Sequence, residues 1–206
     1  REDQKFGVAM VDVPALVAKI RESSNLKFLG LHSHIGSQIF APEGFAEAAS
    51  RLIAIHAELL KGGDVPELNL GGGFGINYVD TDDAPDIAEF ALAITKSVEI
   101  ACRNAGIPVP ALAFEPGRAI AGPAGITLYT VGTIKDVNVE DFVRKYVSVD
   151  GGMSDNMRTA LYQADYTARL ASRVSEAAPA LSRVVGRHCE SGDIVVRNDY
   201  LPADLS

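Results

Sequence analysis

Short apolar runs alternate in this chain with stretches of helical periodicity, and that alternation leaves few architectures open. Residues 27–35 (KFLGLHSHI) read as a strand ending in polar groups, because apolar runs bounded by turn residues are characteristically buried strands. Pro42 then opens a helix with Phe45, Ala48, Ala49, Leu52, Ile55, His56 and Leu59 on one face, stopped by Gly62 and Gly63. The unit repeats. Residues 67–70 (ELNL) are strand-like, Gly71-Gly72-Gly73-Phe74-Gly75 is a loop, and Ile87, Phe90, Ile94, Val98 and Cys102 carry helical spacing from about Asp86 to Ala105, where Gly106 ends it. Upstream, residues 5–10 (KFGVAM) have strand character, and Asp12 is placed to cap a helix with Pro14 in its first turn and Leu16, Val17 and Ile20 inward. Residues 111–114 (ALAF) are the fourth strand. Strands alternating with helices of this length imply right-handed βαβ units and a parallel sheet. Four such units are half of an eight-unit barrel.

The pattern breaks near residue 125. Residues 126–134 and 146–149 are β-rich without an intervening helix of comparable length, and 184–185 and 193–197 continue that character. The expected fold class is therefore α/β: the C-terminal half of a (β/α)8 TIM-like barrel over residues 1–127, followed by part of a mainly antiparallel β domain over 128–206. With 206 residues, 47% of them hydrophobic, the chain can bury one substantial core plus a smaller one. A formal charge of −8 argues against nucleic acid. Two cysteines make no disulfide framework, and no apolar run reaches the roughly 20 residues of a membrane span. The chain starts at Arg1, with neither Met nor a signal-peptide apolar region. It reads as an internal piece of a longer cytoplasmic protein that binds neither membrane nor nucleic acid.

Chemistry concentrates where the fourth strand ends, at Phe114-Glu115-Pro116-Gly117-Arg118. In isolation the Glu-Pro-Gly-Arg tetrapeptide is also what a surface turn looks like. On a barrel strand it delivers Glu115 and Arg118 to the end where such folds keep their chemistry. Arg118 suits a phosphate through its bidentate fork, and Glu115 suits a protonated ring nitrogen. Phosphate plus pyridinium describes pyridoxal 5′-phosphate, whose ring is an electron sink. Among His32, Ser33, His34 and Ser37, one imidazole lies flat on a cofactor ring with Ser37 donating to a phosphate, or the group is a hydrogen-bonded core histidine with a loop serine. No third ligand makes these histidines a metal site. Gly71-Gly72-Gly73 lets backbone N–H groups approach an anion, or is a flexible βα loop; it lacks the spacing of dinucleotide and nucleotide-triphosphate loops. Arg158 and Tyr162, four apart, share a helical face and are placed to grip a carboxylate, or Arg158 pairs with a surface acid. In His188-Cys189-Glu190-Ser191-Gly192-Asp193 the thiol serves proton transfer or is structural. Cys102 and His56 fit the apolar faces of helices.

Together GLHSHIGSQ (30–38), LGGGFGI (70–76), EPGR (115–118), DGGMSDNMRTALY (150–162) and CESGD (189–193) resemble the motifs of the diaminopimelate decarboxylases in order and spacing. These are pyridoxal-phosphate enzymes of the alanine-racemase-like barrel fold. The resemblance implies that His34 stacks on the pyridine ring, that Ser37, Gly73, Gly117 and Arg118 hold the phosphate, and that Glu115 pairs with the ring nitrogen. It further implies that Arg118, Arg158, Tyr162 and Glu190 bind an amino-acid substrate, and that Cys189 protonates the carbon left by carbon dioxide. The Cys-Glu turn would reach into a partner's site, which makes the expected assembly a homodimer. The implied reaction is decarboxylation of meso-diaminopimelate to L-lysine. By the same resemblance the Schiff-base lysine lies upstream of Arg1 and a completing tyrosine motif beyond Ser206, and Lys5, Lys19 and Lys27 have no motif to replace the lysine. The 206 residues alone are therefore expected to be inactive, with open strand edges prone to aggregation. The competing readings are a related decarboxylase for arginine, ornithine or carboxynorspermidine, and a non-catalytic cofactor-binding homologue.

Overall fold

A computed structural model describes residues 5–205, which divide into two compact units: residues up to 76 with 83–124, and residues 77–82 with 125 onward. In the first unit, helix α1 (Val13–Glu22) precedes strand β1 (Gly30–His32), helix α2 (Glu43–Leu59), strand β2 (Glu67–Gly72), helix α3 (Ile87–Ala105), strand β3 (Ala111–Glu115) and the short helix α4 (Gly117–Ala121). The strands pair in parallel in the order β1-β2-β3, with His32 opposite Asn69 and Asn69 opposite Ala113. Side chains alternate along a strand. Leu68 and Leu70 therefore point together into the helices, while His32, Asn69 and, two residues beyond Ala113, Glu115 belong to the other face. The core joins Leu68 and Leu70 to Phe45, Ala49 and Ile53 of α2 and Phe90, Ile94, Val98 and Cys102 of α3. Phe45 stacks on Phe74 at 5.1 Å, and Phe90 meets both rings edge-on at 5.7 Å. Such pairs add about 0.5–1.5 kcal/mol each beyond burial, and they tie the residue after the glycine run to both helices. Asp86 caps α3, its Oδ1 accepting from Ala88 N–H and Glu89 N–H.

The second unit is a sheet of four strands in the order β4 (Val131–Val139), β5 (Phe142–Val149), β6 (Pro179–Val185) and β7 (Ile194–Pro202). Its outer pairings are antiparallel and the β5–β6 pairing is parallel. Parallel neighbours need a long connection, and residues 150–178 supply it, including helix α5 (Arg158–Tyr162). Val147, Val149, Val184, Val196, Leu201 and Leu205 form the core.

Several expectations are corrected. Residues 5–10 form no strand: Gly7 turns the chain at φ +76°, and no described strand pairs with the stretch, so the described residues hold three parallel strands rather than four. In α1 only Val17 is buried, and Leu16 is exposed. The strand expected at 126–134 begins only at Val131, where pairing with Val149 starts, and Ile126 and Leu128 stay exposed. The second sheet, by contrast, is mainly antiparallel as expected, two of its three pairings being antiparallel and only β5–β6 parallel. Among the described residues, no helix is long and apolar enough to cross a membrane.

Candidate functional site

All three parallel strands end on the same edge of the first unit, and their tips are where its polar groups converge. Glu115, the last residue of β3, receives Asn69 Nδ2 on Oε1 at 3.2 Å, and His32 Nε2 lies 3.4 Å from the same oxygen. Asn69 is itself held, its Oδ1 accepting from Gly71 N–H at 2.8 Å. Gly72 N–H donates to His34 Nδ1 at 3.3 Å, so a neutral His34 carries its proton on Nε2. Arg118, in α4, donates from Nη2 to Ser37 Oγ at 2.7 Å and from Nη1 to Gln38 Oε1 at 2.9 Å. Gly73 has φ +96°, and a Cβ there would lie 2.1 Å from the Gly36 carbonyl oxygen, which excludes any other residue. At Gly117 a Cβ would meet no heavy atom within 4 Å, leaving the backbone approachable from outside. Six residues singled out in the sequence (His34, Ser37, Gly73, Glu115, Gly117 and Arg118) thus belong to one unit and one strand-end cluster.

The other four belong to the second unit. Arg158 and Tyr162 do share a face of α5: the guanidinium carbon sits 5.5 Å from the Tyr162 ring centroid, and Arg158 Nε donates to the Tyr166 hydroxyl at 3.1 Å. Cys189 and Glu190 lie exposed on a turn. That turn is pinned from beneath by Asp193, which is 2% exposed. Its carboxylate accepts from Met153 N–H at 2.5 Å and His188 N–H at 2.7 Å, and Ser154 Oγ and His188 Nε2 are 2.8 Å apart. One buried carboxylate therefore fastens the 150–157 loop to the Cys-Glu turn. Nearby, burial, and after it the charge of Asp155, push the Tyr129 hydroxyl above its ordinary pKa, while the Thr130 backbone N–H holds the Asp150 carboxyl below the usual range. Burial likewise pushes the Cys102 thiol up.

A carboxylate braced on one oxygen, a hydroxyl–guanidinium pair and an open glycine backbone, all at the carboxyl ends of parallel strands, mark a binder of a phosphorylated, protonatable ring. Residues 1–122 match the family of pyridoxal-dependent decarboxylases over its pyridoxal-binding domain, and the chain belongs to that family. The family's cofactor is pyridoxal 5′-phosphate. The chain is 50% identical over 213 aligned residues to a diaminopimelate decarboxylase of Mycobacterium tuberculosis, covering 99% of this chain and 48% of that protein. With the Mycobacterium leprae diaminopimelate decarboxylase the identity is 51%, covering 99% and 45%. Among solved structures it resembles diaminopimelate decarboxylase from Helicobacter pylori complexed with L-lysine, with TM-score 0.81 and 27% identity over 98% of this chain and 47% of that one. The enzyme from M. jannaschii in co-complex with L-lysine has TM-score 0.82 and 29% identity, covering 98% and 45%. The chain spans about half the length of the relatives it matches. Its fold is accordingly the α/β class of the alanine-racemase-like barrel, with a mixed β sheet following.

The donor set is chemically compatible with that cofactor: a hydroxyl and a guanidinium are groups that could hold a phosphate, and a carboxylate braced through one oxygen is a group that could face a pyridinium N–H. Sequence reasoning missed Asn69, Gln38 and the structural part played by Asp193. Asn69 had a signal, as the polar residue inside Leu68-Asn69-Leu70. Gln38 had none beyond its place in a motif, and Asp193 likewise stood only as the last residue of the CESGD motif.

Proposed function

We propose that the protein containing this chain is a pyridoxal-phosphate-dependent decarboxylase that converts meso-diaminopimelate to L-lysine, the last step of lysine biosynthesis. The observation that carries this reading is Glu115 at the tip of β3, braced by Asn69, three residues before an arginine bonded to Ser37. Ser37, Gly73, Gly117 and Arg118 would hold the cofactor phosphate, His34 would stack on the ring, and Glu115 would keep its nitrogen protonated. When bound, the cofactor supplies an electron sink for the pair left when carbon dioxide departs. The chain's own residues do the rest. Arg118, Arg158, Tyr162 and Glu190 bind and orient the substrate, and Cys189 delivers a proton to the α-carbon. The far end of diaminopimelate carries an ammonium and a carboxylate, which Glu190 and Arg158 match by charge. Ornithine offers only the ammonium, and Arg158 would have nothing to bind. The exposed Cys-Glu turn supports a homodimer with shared active sites, in which each copy completes the other's pocket. Such a biosynthetic enzyme would work in the cytoplasm.

The test is carbon dioxide release by the full-length protein, loaded with pyridoxal phosphate, from meso-diaminopimelate, ornithine, arginine and carboxynorspermidine in parallel. Release from diaminopimelate alone, with L-lysine formed, is expected. Release from another amino acid would keep the family and overturn the roles of Arg158 and Glu190. Retained cofactor with no release from any substrate would make the protein a non-catalytic homologue.

A further inference from the structure

Three non-glycine residues among those described have positive φ: Gln38 at +60°, Glu140 at +46° and Gln163 at +53°. Two are ordinary positions for that backbone, since Glu140 sits in the β4–β5 hairpin turn and Gln163 follows the last residue of α5. Gln38 is neither. It lies in the loop after β1, beside Ile39, whose backbone bridges to Phe74. A glycine would take this backbone without strain, yet the chain has a long amide here, so the side chain must have work to do.

Its bonds show what that work is. Nε2 donates to the Ile76 carbonyl at 2.5 Å, and Oε1 accepts from Ile76 N–H at 3.3 Å and from Arg118 Nη1 at 2.9 Å. One amide thus clamps both backbone groups of the residue ending the glycine-rich loop, and the same oxygen takes the guanidinium. Arg118 Nη2 reaches Ser37, the residue preceding Gln38. Three segments far apart in sequence (30–38, 70–76 and 115–118) are locked at this single side chain. We infer that Gln38 is a positioning residue for the cofactor phosphate, holding Arg118 in register with Ser37 and fixing the far end of the glycine loop. The inference rests on the pyridoxal-phosphate reading of this site.

The role makes a phosphate-specific prediction. Pyridoxal, which lacks the phosphate, needs the ring contacts but not the Arg118–Ser37 pair. Binding of pyridoxal phosphate and of pyridoxal to the full-length apoprotein, titrated by absorbance, separates the two. Two variants suit the backbone: Gln38→Gly is unstrained at positive φ, and Gln38→Asn tolerates it but is one methylene too short to span Ile76 and Arg118. In both, affinity for pyridoxal phosphate should fall about tenfold, as for loss of a hydrogen bond to a charged group. Affinity for pyridoxal should stay within about twofold. Relief of the positive φ in apo Gln38→Gly offsets part of the loss of the Ile76 and Arg118 bonds, so its melting temperature should fall by no more than about 10 °C. In an Arg118→Ala background, Gln38→Gly should weaken pyridoxal phosphate by clearly less than in the parent, only its hold on Ile76 being left to lose. An equal loss for both ligands, or for neither, would overturn the role. A parent protein that binds pyridoxal as tightly as pyridoxal phosphate would overturn the phosphate site itself, and Gln38's role with it.

Discussion

The loop that ends β2 and the turn that precedes β7 both carry residues of the proposed site, and they are held by opposite means. The first is made of glycines: Gly73 sits where a Cβ would strike the Gly36 carbonyl, and backbone packs on backbone. The second is held by a side chain, the Asp193 carboxylate, which binds two N–H groups beneath an exposed Cys-Glu turn. A loop shaped by the absence of side chains lets an anion come close to its amides. A turn shaped by one buried acceptor leaves its outward side chains to meet a substrate or a second protein chain. The division matches the proposed chemistry, with the cofactor on one unit and proton delivery on the other.

The strongest way to break this comparison is at its two anchors. Gly73→Ala combines a positive φ with a collision, and should cost about 3 kcal/mol or more of stability in urea unfolding while abolishing cofactor binding. Asp193→Ala strips the acceptor from Met153 and His188 N–H, an expected loss of about 2–4 kcal/mol. It should leave affinity for pyridoxal phosphate within about threefold while turnover by the full-length enzyme collapses, since both hydrogen bonds accepted by this carboxylate come from the second unit. Cofactor affinity reduced as completely as in Gly73→Ala would remove the distinction between the two anchors. Arg158→Ala sharpens the comparison within the second unit. KM for meso-diaminopimelate should rise about 10- to 100-fold, the range for a charge-assisted bond, with little change in melting temperature. An unchanged kcat/KM would sink its substrate role.

The smallest effect separates the two cores. His56 is buried in the first unit with Nδ1 unbonded, and burial lowers its pKa from the ordinary 6.5. The unfolded chain therefore takes up the proton first. Stability from this residue is complete above about pH 6.5 and declines as the pH falls from there toward the lowered folded value. Urea unfolding from pH 8 to 5 should show that decline, and His56→Phe should flatten it. An unaltered slope in the variant would assign the acid sensitivity elsewhere.

Much of the first unit was legible because its signals are local. The helical faces around Phe45 and Ile94 and the strand ending at Glu115 all stand where the periodicity puts them. The same periodicity misplaced residues 5–10, because apolar character makes a strand only where a neighbouring strand accepts its hydrogen bonds, and Gly7 turns that segment away. In the second unit, apolar runs marked strands but not their order, and the parallel β5–β6 pairing follows from a long connection that carries no strand signal of its own.

The sequence by itself determined the helices, the glycine run, the polar strand ends and, through five motifs, the family. The tertiary structure alone decided which polar groups brace the others. Asn69 meets Glu115 across 46 residues, Gln38 meets Arg118 across 80, and Asp193 meets Met153 across 40. Periodicity and turn chemistry are written within a few neighbouring residues, whereas a hydrogen bond between distant segments exists only once the strands have set their register.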